Sequence, residues 1–312
     1  MKTKNRAVVG ILLMVFLFFI LMMVFASFTM KVFNDESQAH DSKNMKAQIA
    51  VIEVEGAIMD AKKTVELLYK AEKDKSVKAI IMRINSPGGA VGPTQEIYEE
   101  MRRIDTAWDP KDEKSKGKPI FASFGAIAAS GGYYLGAGAR KIYASAGTLT
   151  GSIGVIMNFT NLSKLYEFAK VKPMPMKSGK YKDIGSPFRD MTAEEQGLMQ
   201  GMISGVHKQF MKDIVATRKV KLKAKIEDLA QGQIFSGEEA QRLGLVDELA
   251  GLWKAGRMIH KDLNLKGEFG FKYIKKKKKS NFWDLMDNLD QVATNIKMNT
   301  MVTSMPLLIF GK

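Results

Sequence analysis

Along this 312-residue chain the period of apolar and polar positions changes repeatedly, and each change marks an element. Residues Ala7 to Met30 carry no charge, a run long enough to cross a bilayer core of about 30 Å as a helix rising about 1.5 Å per residue. Lys2, Lys4 and Arg6 precede it, so the positive-inside tendency predicts a single-pass anchor with its N-terminus in the cytoplasm and the rest of the chain outside. A cleaved signal peptide would have an apolar core of only about 7–15 residues and a clearer small-x-small site than Ala26-Ser27. Lys31 to Lys46 is polar, mixed in charge and without period, and reads as a linker.

From Gln48 onward strand and helix periods alternate. Apolar runs predict strands at Ile49–Val54, Val77–Asn85, Pro119–Ser123 and Lys141–Ala144; helical spacing predicts helices at Ala61–Lys73, Thr94–Ile104 and Leu162–Phe168. This alternation argues an α/β layered fold. The stretch T-L-T-G-S-I-G-V-I (Thr148 to Ile156) predicts a glycine-punctuated turn entering a strand. The second half is more helical. Thr192, with Glu194 and Glu195 in the first turn, opens a long helix through Arg218; shorter helices follow at Ile226–Leu229, Phe235–Leu243 with Ser236 as a cap, and Leu252–Asp262. Gly244–Leu249 reads as a short strand or turn. Phe269–Ile274 reads as an edge strand that the lysines from Lys275 to Lys279 keep from pairing promiscuously. A polar helix, Asn281–Met298, precedes an apolar tail, Ser304–Lys312.

Composition narrows the chemistry. With 46% hydrophobic residues the chain can bury a sizeable core, and with no cysteine it excludes thiol catalysis, disulfides and cysteine-ligated zinc. His40, His207 and His260 are its only histidines and no H-E-x-x-H spacing occurs, so neither a metal nor another cofactor is expected. The net charge of +15 gathers in Lys2 to Arg6, Lys219 to Lys225 and Lys275 to Lys279, with no zinc finger, aromatic-basic RNA motif or helix-turn-helix beside it. It reads as a solvated basic face lying against anionic lipid heads, and no nucleic-acid partner is expected.

One stretch carries candidate chemistry: F-G-A-I-A-A-S-G-G-Y-Y-L-G, Phe124 to Gly136. Taken alone, its small residues fit a tight helix crossing as well as a site. Upstream, however, the apolar run from Val77 ends in N-S-P-G-G, and glycines at a strand's exit leave backbone N–H groups free to point at an anion. Ser130 is therefore a candidate nucleophile, and a serine requires a base. His207 and His260 fall within helices and His40 in the linker, which leaves a Ser-His-Asp triad without a convincing member. A lysine base must lose about 2–3 units from its ordinary pKa of about 10.4, which calls for a dry site without a carboxylate partner. Lys177, Lys180 and Lys182 compete for that role within K-S-G-K-Y-K-D-I-G-S-P-F (Lys177 to Phe188).

In order along the chain, N-S-P-G-G (Asn85 to Gly89), A-A-S-G-G-Y-Y (Ala128 to Tyr134), T-G-S-I-G-V (Thr150 to Val155) and S-G-K-Y-K-D-I-G-S-P (Ser178 to Pro187) resemble the signal peptide peptidase A family in its short, single-domain form. The resemblance covers the anchor and extends from about Ala47 to about Gly251. It implies a crotonase/Clp protease-like fold and a serine–lysine dyad: Ser130 as nucleophile, Lys182 as general base, Ser152 orienting that lysine, and backbone N–H groups of Gly88 or Gly89 and of Gly131 as the oxyanion hole. It further implies a homo-oligomer whose serine and lysine reach a shared site from neighbouring subunits, and substrates that are remnant signal peptides and other apolar peptides, bound as an added strand. The location implied is the bacterial cytoplasmic membrane, with the catalytic domain on the periplasmic or exterior side.

The expected organisation is residues 1–30 start and anchor, 31–46 linker, 47–265 protease domain and 266–312 basic extension. Thr106 to Lys118 is longer and more charged than the family pattern, and the match beyond about Leu265 is weak. The tail from Ser304 either packs on the body or lies in the substrate groove like a product. Two alternatives compete. An acyl-CoA enzyme of the same fold would be outside, away from CoA, and would leave the serine and lysine without purpose. A catalytically silent membrane scaffold would lack Ser130 or Lys182, and both are present.

Overall fold

The computed structural model describes residues 16, 18, 20–22, 47–112 and 115–275, and the backbone of 307–309. The chain divides into two units at Ala47 and Gln48. Residues 16, 18 and 20–22 are helical; the rest of the expected anchor, the linker to Lys46, Lys276 to Lys279 and the helix Asn281–Met298 lie outside the described residues. Among the described residues no helix is long and apolar enough to cross a membrane.

The second unit is built on a mixed, mainly parallel sheet. Strand β1 (Ile49–Glu55) pairs in parallel with β2 (Ala79–Ser86), and β2 with β4 (Ile120–Ala129). β4 in turn carries β5 (Ile142–Ala144) and, farther along, β6 (Leu149–Gly151). The order is β7-β6-β4-β2-β1-β9, with β7 (Ile234–Ser236) antiparallel to β6, β9 (Phe271–Tyr273) parallel to β1, and β8 (Glu248–Leu249) beside β5. Continuous apolar runs arise because helices cover both faces. In β1, Ala50, Ile52 and Val54 turn toward a core shared with helices α1 (Lys62–Lys73) and α2 (Val91–Thr106). Ile49 and Val51 turn to the other side, against Ala255 and Ile259 of α8 (Leu252–Asp262) and Phe271.

Three differences from the sequence expectations bear on the site. β4 does not stop at Ser123 but continues to Ala129, through a stretch whose Gly125, Ala126, Ala128 and Ala129 dilute the apolar signal of Phe124 and Ile127, and so ends directly at Ser130. Within Thr148 to Ile156 the strand is β6, which precedes the Gly151-Ser152 turn instead of following it. Phe271–Tyr273, beyond the end of the family-like segment, hydrogen-bonds to the first residues of β1 and is an integral edge of the sheet.

The long helix, α5 (Ala193–Arg218), begins as its sequence predicts: Thr192 accepts a hydrogen bond from the Glu195 amide at 3.2 Å and Glu195 accepts one from the Thr192 amide at 2.9 Å, a capping box. Its C-terminal half packs on α3 (Gly131–Ala137), the short helix that follows Ser130. Phe210 stacks on Tyr134 with ring centres 4.5 Å apart, and the Tyr134 hydroxyl donates to Asp213. Its first half buries only Glu195.

Candidate active site

Ser130 sits at the joint between β4 and α3 with φ 53° and ψ −116°, a conformation that an L-residue adopts only under strain of about 1–3 kcal/mol. It is held from both sides. Its amide donates to Gly151 O at 2.8 Å and its carbonyl accepts from the Tyr134 amide at 2.8 Å. The residue is 1% exposed, and its Oγ is buried without a hydrogen-bond partner among the described residues. An unpartnered buried hydroxyl costs about 1–3 kcal/mol. Strain and an unsatisfied donor therefore fall together on the residue that the sequence singles out as nucleophile.

The next strand supplies Ser152. β6 pairs with the end of β4, Ala129 opposite Gly151, so Ser152 leaves the sheet directly beside Ser130. It too has a positive φ, 49°, and its amide donates to Gln233 O at 2.7 Å.

The glycine pair lies across the joint. Strand β3 (Gly88–Ala90) bonds to Ile58 through Gly88 O at 2.9 Å and Ala90 N at 2.8 Å. Strand alternation then turns the N–H of Gly89 to the opposite edge. The Gly88 amide is already engaged by Ser86 Oγ at 3.1 Å. A Cβ built on Gly131 would come 3.2 Å from the Gly89 nitrogen, which brings the two segments together, and one built on Gly89 would lie 2.1 Å from Ile58 O, so only glycine fits there.

Two supporting residues escape the sequence reading. Ser86, fully buried, holds the glycine turn through its hydroxyl, and its signal was a serine two residues before a glycine. Thr94 Oγ1 donates to Ala90 O at 2.8 Å and lines the space in front of Gly131.

Antiparallel to β3 on its open edge runs β10 (Leu307–Ile309), with Leu307 opposite Ala90, Leu308 opposite Gly89 and Ile309 opposite Gly88. Residues 307–309 of the apolar tail thus occupy, as backbone, the edge toward which the Gly89 N–H points.

Ser130, Ser152, Gly88, Gly89 and Gly131 gather at one place; Lys182 does not join them. It is exposed, on a turn whose amide donates to Gly179 O at 3.3 Å. Its two competitors are both ion-paired: Lys177 with Asp183 at 2.5 Å and Lys180 with Glu194. Lys182 has no ion pair among the described residues. The buried Lys118, whose amine burial pulls down to about 8, donates to Ala71 O and Asp74 O before the start of β4. The ten residues of that strand put about 30 Å between it and Ser130, which removes it as a partner. His207 and His260 have buried, unpartnered Nε2 atoms, and neither hydrogen-bonds Ser130.

A Clp protease family model matches residues 34–112, and the model of peptidase family S49 matches residues 112–266. A protein of Synechocystis sp. that is named for protease activity is 42% identical over 205 residues, which span 65% of this chain and 70% of that protein. The chain belongs to peptidase family S49. The Clp-like part of this S49 chain holds β1, β2 and the Gly88-Gly89 pair, and the S49 part holds Ser130, Ser152 and Lys182. A protein of Enterococcus faecium named as a signal peptide peptidase is 37% identical over 182 residues, 58% of this chain and 50% of that protein. A chloroplastic serine protease of Arabidopsis thaliana is 31% identical over 211 residues, 67% of this chain and 30% of that protein. This S49 chain is thus a serine protease similar to signal peptide peptidases, and it spans half or less of the last two relatives.

Proposed function

We propose that this S49 protease is a membrane-anchored serine endopeptidase in which Ser130 of one copy is activated by Lys182 of a neighbouring copy. The observation that carries this reading is the strained, buried Ser130, next to the glycine pair and Ser152 yet without a hydrogen-bonded base among the described residues. Lys182 supports it from the other side: of Lys177, Lys180 and Lys182 it alone has no ion pair to a carboxylate among the described residues, which is what a neutral amine requires. The loop around it exposes apolar surface suited to a second copy: Phe168, Met174 and Met176 are 86%, 78% and 99% exposed.

In this mechanism the neutral Nζ of Lys182 accepts the Ser130 Oγ proton as Oγ bonds to the scissile carbonyl carbon. The carbonyl oxygen becomes an oxyanion held by the N–H groups of Gly131 and Gly89; Gly88, whose amide is taken by Ser86, is the weaker candidate. Ser152 accepts or donates a hydrogen bond to Nζ and orients it. The lysine then protonates the leaving amine, the C–N bond breaks, and a water deprotonated by the same lysine releases the acyl group. Remnant signal peptides and other apolar peptides are the proposed substrates, extended along the open edge of β3, where the pairing with β10 supports a strand-addition mode. Ala7 to Met30 would hold the enzyme at the outer face of the bacterial cytoplasmic membrane, with the basic residues against lipid.

The deciding experiment measures turnover of a fluorogenic apolar peptide by the full chain. Ser130→Ala and Lys182→Ala are each expected to be inactive, and mixing them after dissociation is expected to restore part of the wild-type rate. Two dead variants whose mixtures stay dead would overturn the shared site, and an active Lys182→Ala the dyad. A second expectation concerns the tail. Truncation before Ser304 should lower KM several-fold at unchanged kcat, since an intramolecular strand competes at high effective concentration; an unchanged KM would show that the tail leaves this edge in solution.

A further inference from the structure

The turn that bears Lys182 has no helix or strand of its own between Lys177 and Asp190, so something else must hold the lysine in place. The residue that follows it, Asp183, is tied down unusually well. Its carboxylate accepts hydrogen bonds from Arg189 Nε at 3.1 Å, Arg189 Nη2 at 2.9 Å and Lys177 Nζ at 2.5 Å. The far side of the same guanidinium reaches Glu195, with Nη1 2.9 Å from Oε2 and Nη2 2.7 Å from Oε1. Glu195 is buried and is the capping-box residue of α5. One arginine thus bolts the residue after Lys182 to the first turn of α5, the longest helix among the described residues, in a fork geometry that lysine cannot reproduce.

The charges around the turn give this bridge a second consequence. Lys177, Lys180 and Arg189 stand against Asp183, Asp190, Glu194 and Glu195, with the phenol of Tyr181 donating to Glu194; across the proposed shared site, Ser130 and Ser152 are neutral. A free carboxylate at Asp183 would favour the ammonium form of the lysine beside it. Arg189 offsets that charge, and the hydrogen bonds it donates hold the carboxyls of Asp183 and Glu195 below the usual carboxylate range, Glu195 at about 2.

We infer that Arg189 is the positioning residue of this enzyme's base: it fixes the backbone of Lys182 by bridging Asp183 to Glu195, and it cancels the carboxylate charge beside a lysine that must give up its proton. This rests on the reading of Lys182 as the base. Arg189 touches neither substrate nor reacting atoms, so its signature lies in the pH dependence.

The test follows kcat and KM against pH for assembled full-length enzyme and a fluorogenic apolar peptide. Arg189→Gln is expected to lower kcat about tenfold or more with KM within about twofold, and to move the acid limb of kcat/KM upward by about one pH unit. Adding Asp183→Asn to it removes the carboxylate charge that Lys177 alone would then offset, and should bring the limb back. Arg189→Lys keeps the charge but loses the fork, so kcat should fall while the limb stays put; it also serves if Arg189→Gln does not fold. A limb that stays fixed in Arg189→Gln, moves in Arg189→Lys, or fails to return in the double variant would overturn the inference. Lys182→Ala separates the two readings: if it is active, the dyad itself fails, whereas an inactive Lys182→Ala beside an unmoved limb in Arg189→Gln sinks only the role of Arg189.

Discussion

Replacing Ser130 by glycine is expected to abolish peptide hydrolysis and, at the same time, to raise the melting temperature. The first effect follows from the loss of the nucleophile: without Oγ no acyl-enzyme forms, and kcat should fall by about 10⁴-fold or more. The second follows from the geometry. Ser130 holds φ at 53°, which costs an L-residue about 1–3 kcal/mol and costs glycine almost nothing, and it buries a hydroxyl that has no partner among the described residues. Against this stands the greater freedom of glycine in the unfolded chain, about 0.4–1 kcal/mol. The net gain should be at least about 1 kcal/mol, which in a domain of this size raises Tm by a few degrees. Ser130→Ala keeps the Cβ and hence the strain, so Tm should rank glycine above alanine above wild type. Thermal unfolding of the three proteins checks this. A glycine variant less stable than the alanine variant would mean that the joint carries no strain, and that the case for a site built at the expense of stability fails.

How much of this was legible in the sequence depends on how local each cause is. Capping at Thr192 needs only a hydroxyl and a glutamate three residues apart, and the structure has that capping box. The strand from Ile49 announces itself by a continuous apolar run, because both of its faces are covered. The end of β4 was not legible. Gly125, Ala126, Ala128 and Ala129 carry no apolar period, and the strand continues there through long-range pairing, of Ala128 with Ser86 after a register shift and of Ile127 to Ala129 with Leu149 to Gly151. The edge strand Phe271–Tyr273 could be read as a strand but not assigned a neighbour, since its partner lies more than two hundred residues earlier. At the site, Ser130 and the glycine pair after Pro87 stood out through their surroundings, whereas Ser152 was marked only by the family resemblance. The choice among three lysines did not stand out, because it rests on which carboxylate each one meets: Asp183 takes Lys177 and Glu194 takes Lys180. Those pairings depend on the Arg189 bridge and on where α5 begins, both products of tertiary packing.

Gly89→Ala is expected to lower kcat and raise KM together. The new Cβ would fall 2.1 Å from Ile58 O and 2.5 Å from Ile58 N, both backbone atoms of the bridge that fixes β3, so the strand must move away from Ile58. That displacement carries the Gly89 N–H with it. Losing one oxyanion donor costs about 3–4 kcal/mol in the transition state, a fall of roughly 10²–10³ in kcat. The substrate edge is displaced as well, so KM should rise in the same variant, and the two effects together distinguish it from Ser130→Gly, which leaves the edge intact. Gly92→Ala is the matched control. It lies three residues farther on, in the first turn of α2, with no atom within 4 Å of a new Cβ, and should leave kcat and KM unchanged. If Gly89→Ala hydrolyses the apolar peptide at more than about a tenth of the wild-type kcat while remaining folded, the oxyanion is not held at Gly89. The Gly88 amide, freed from its bond to Ser86 Oγ, would then be the donor to examine, through Ser86→Ala. Such a result would shift the hole by one residue along β3 and leave Ser130 as the atom it serves.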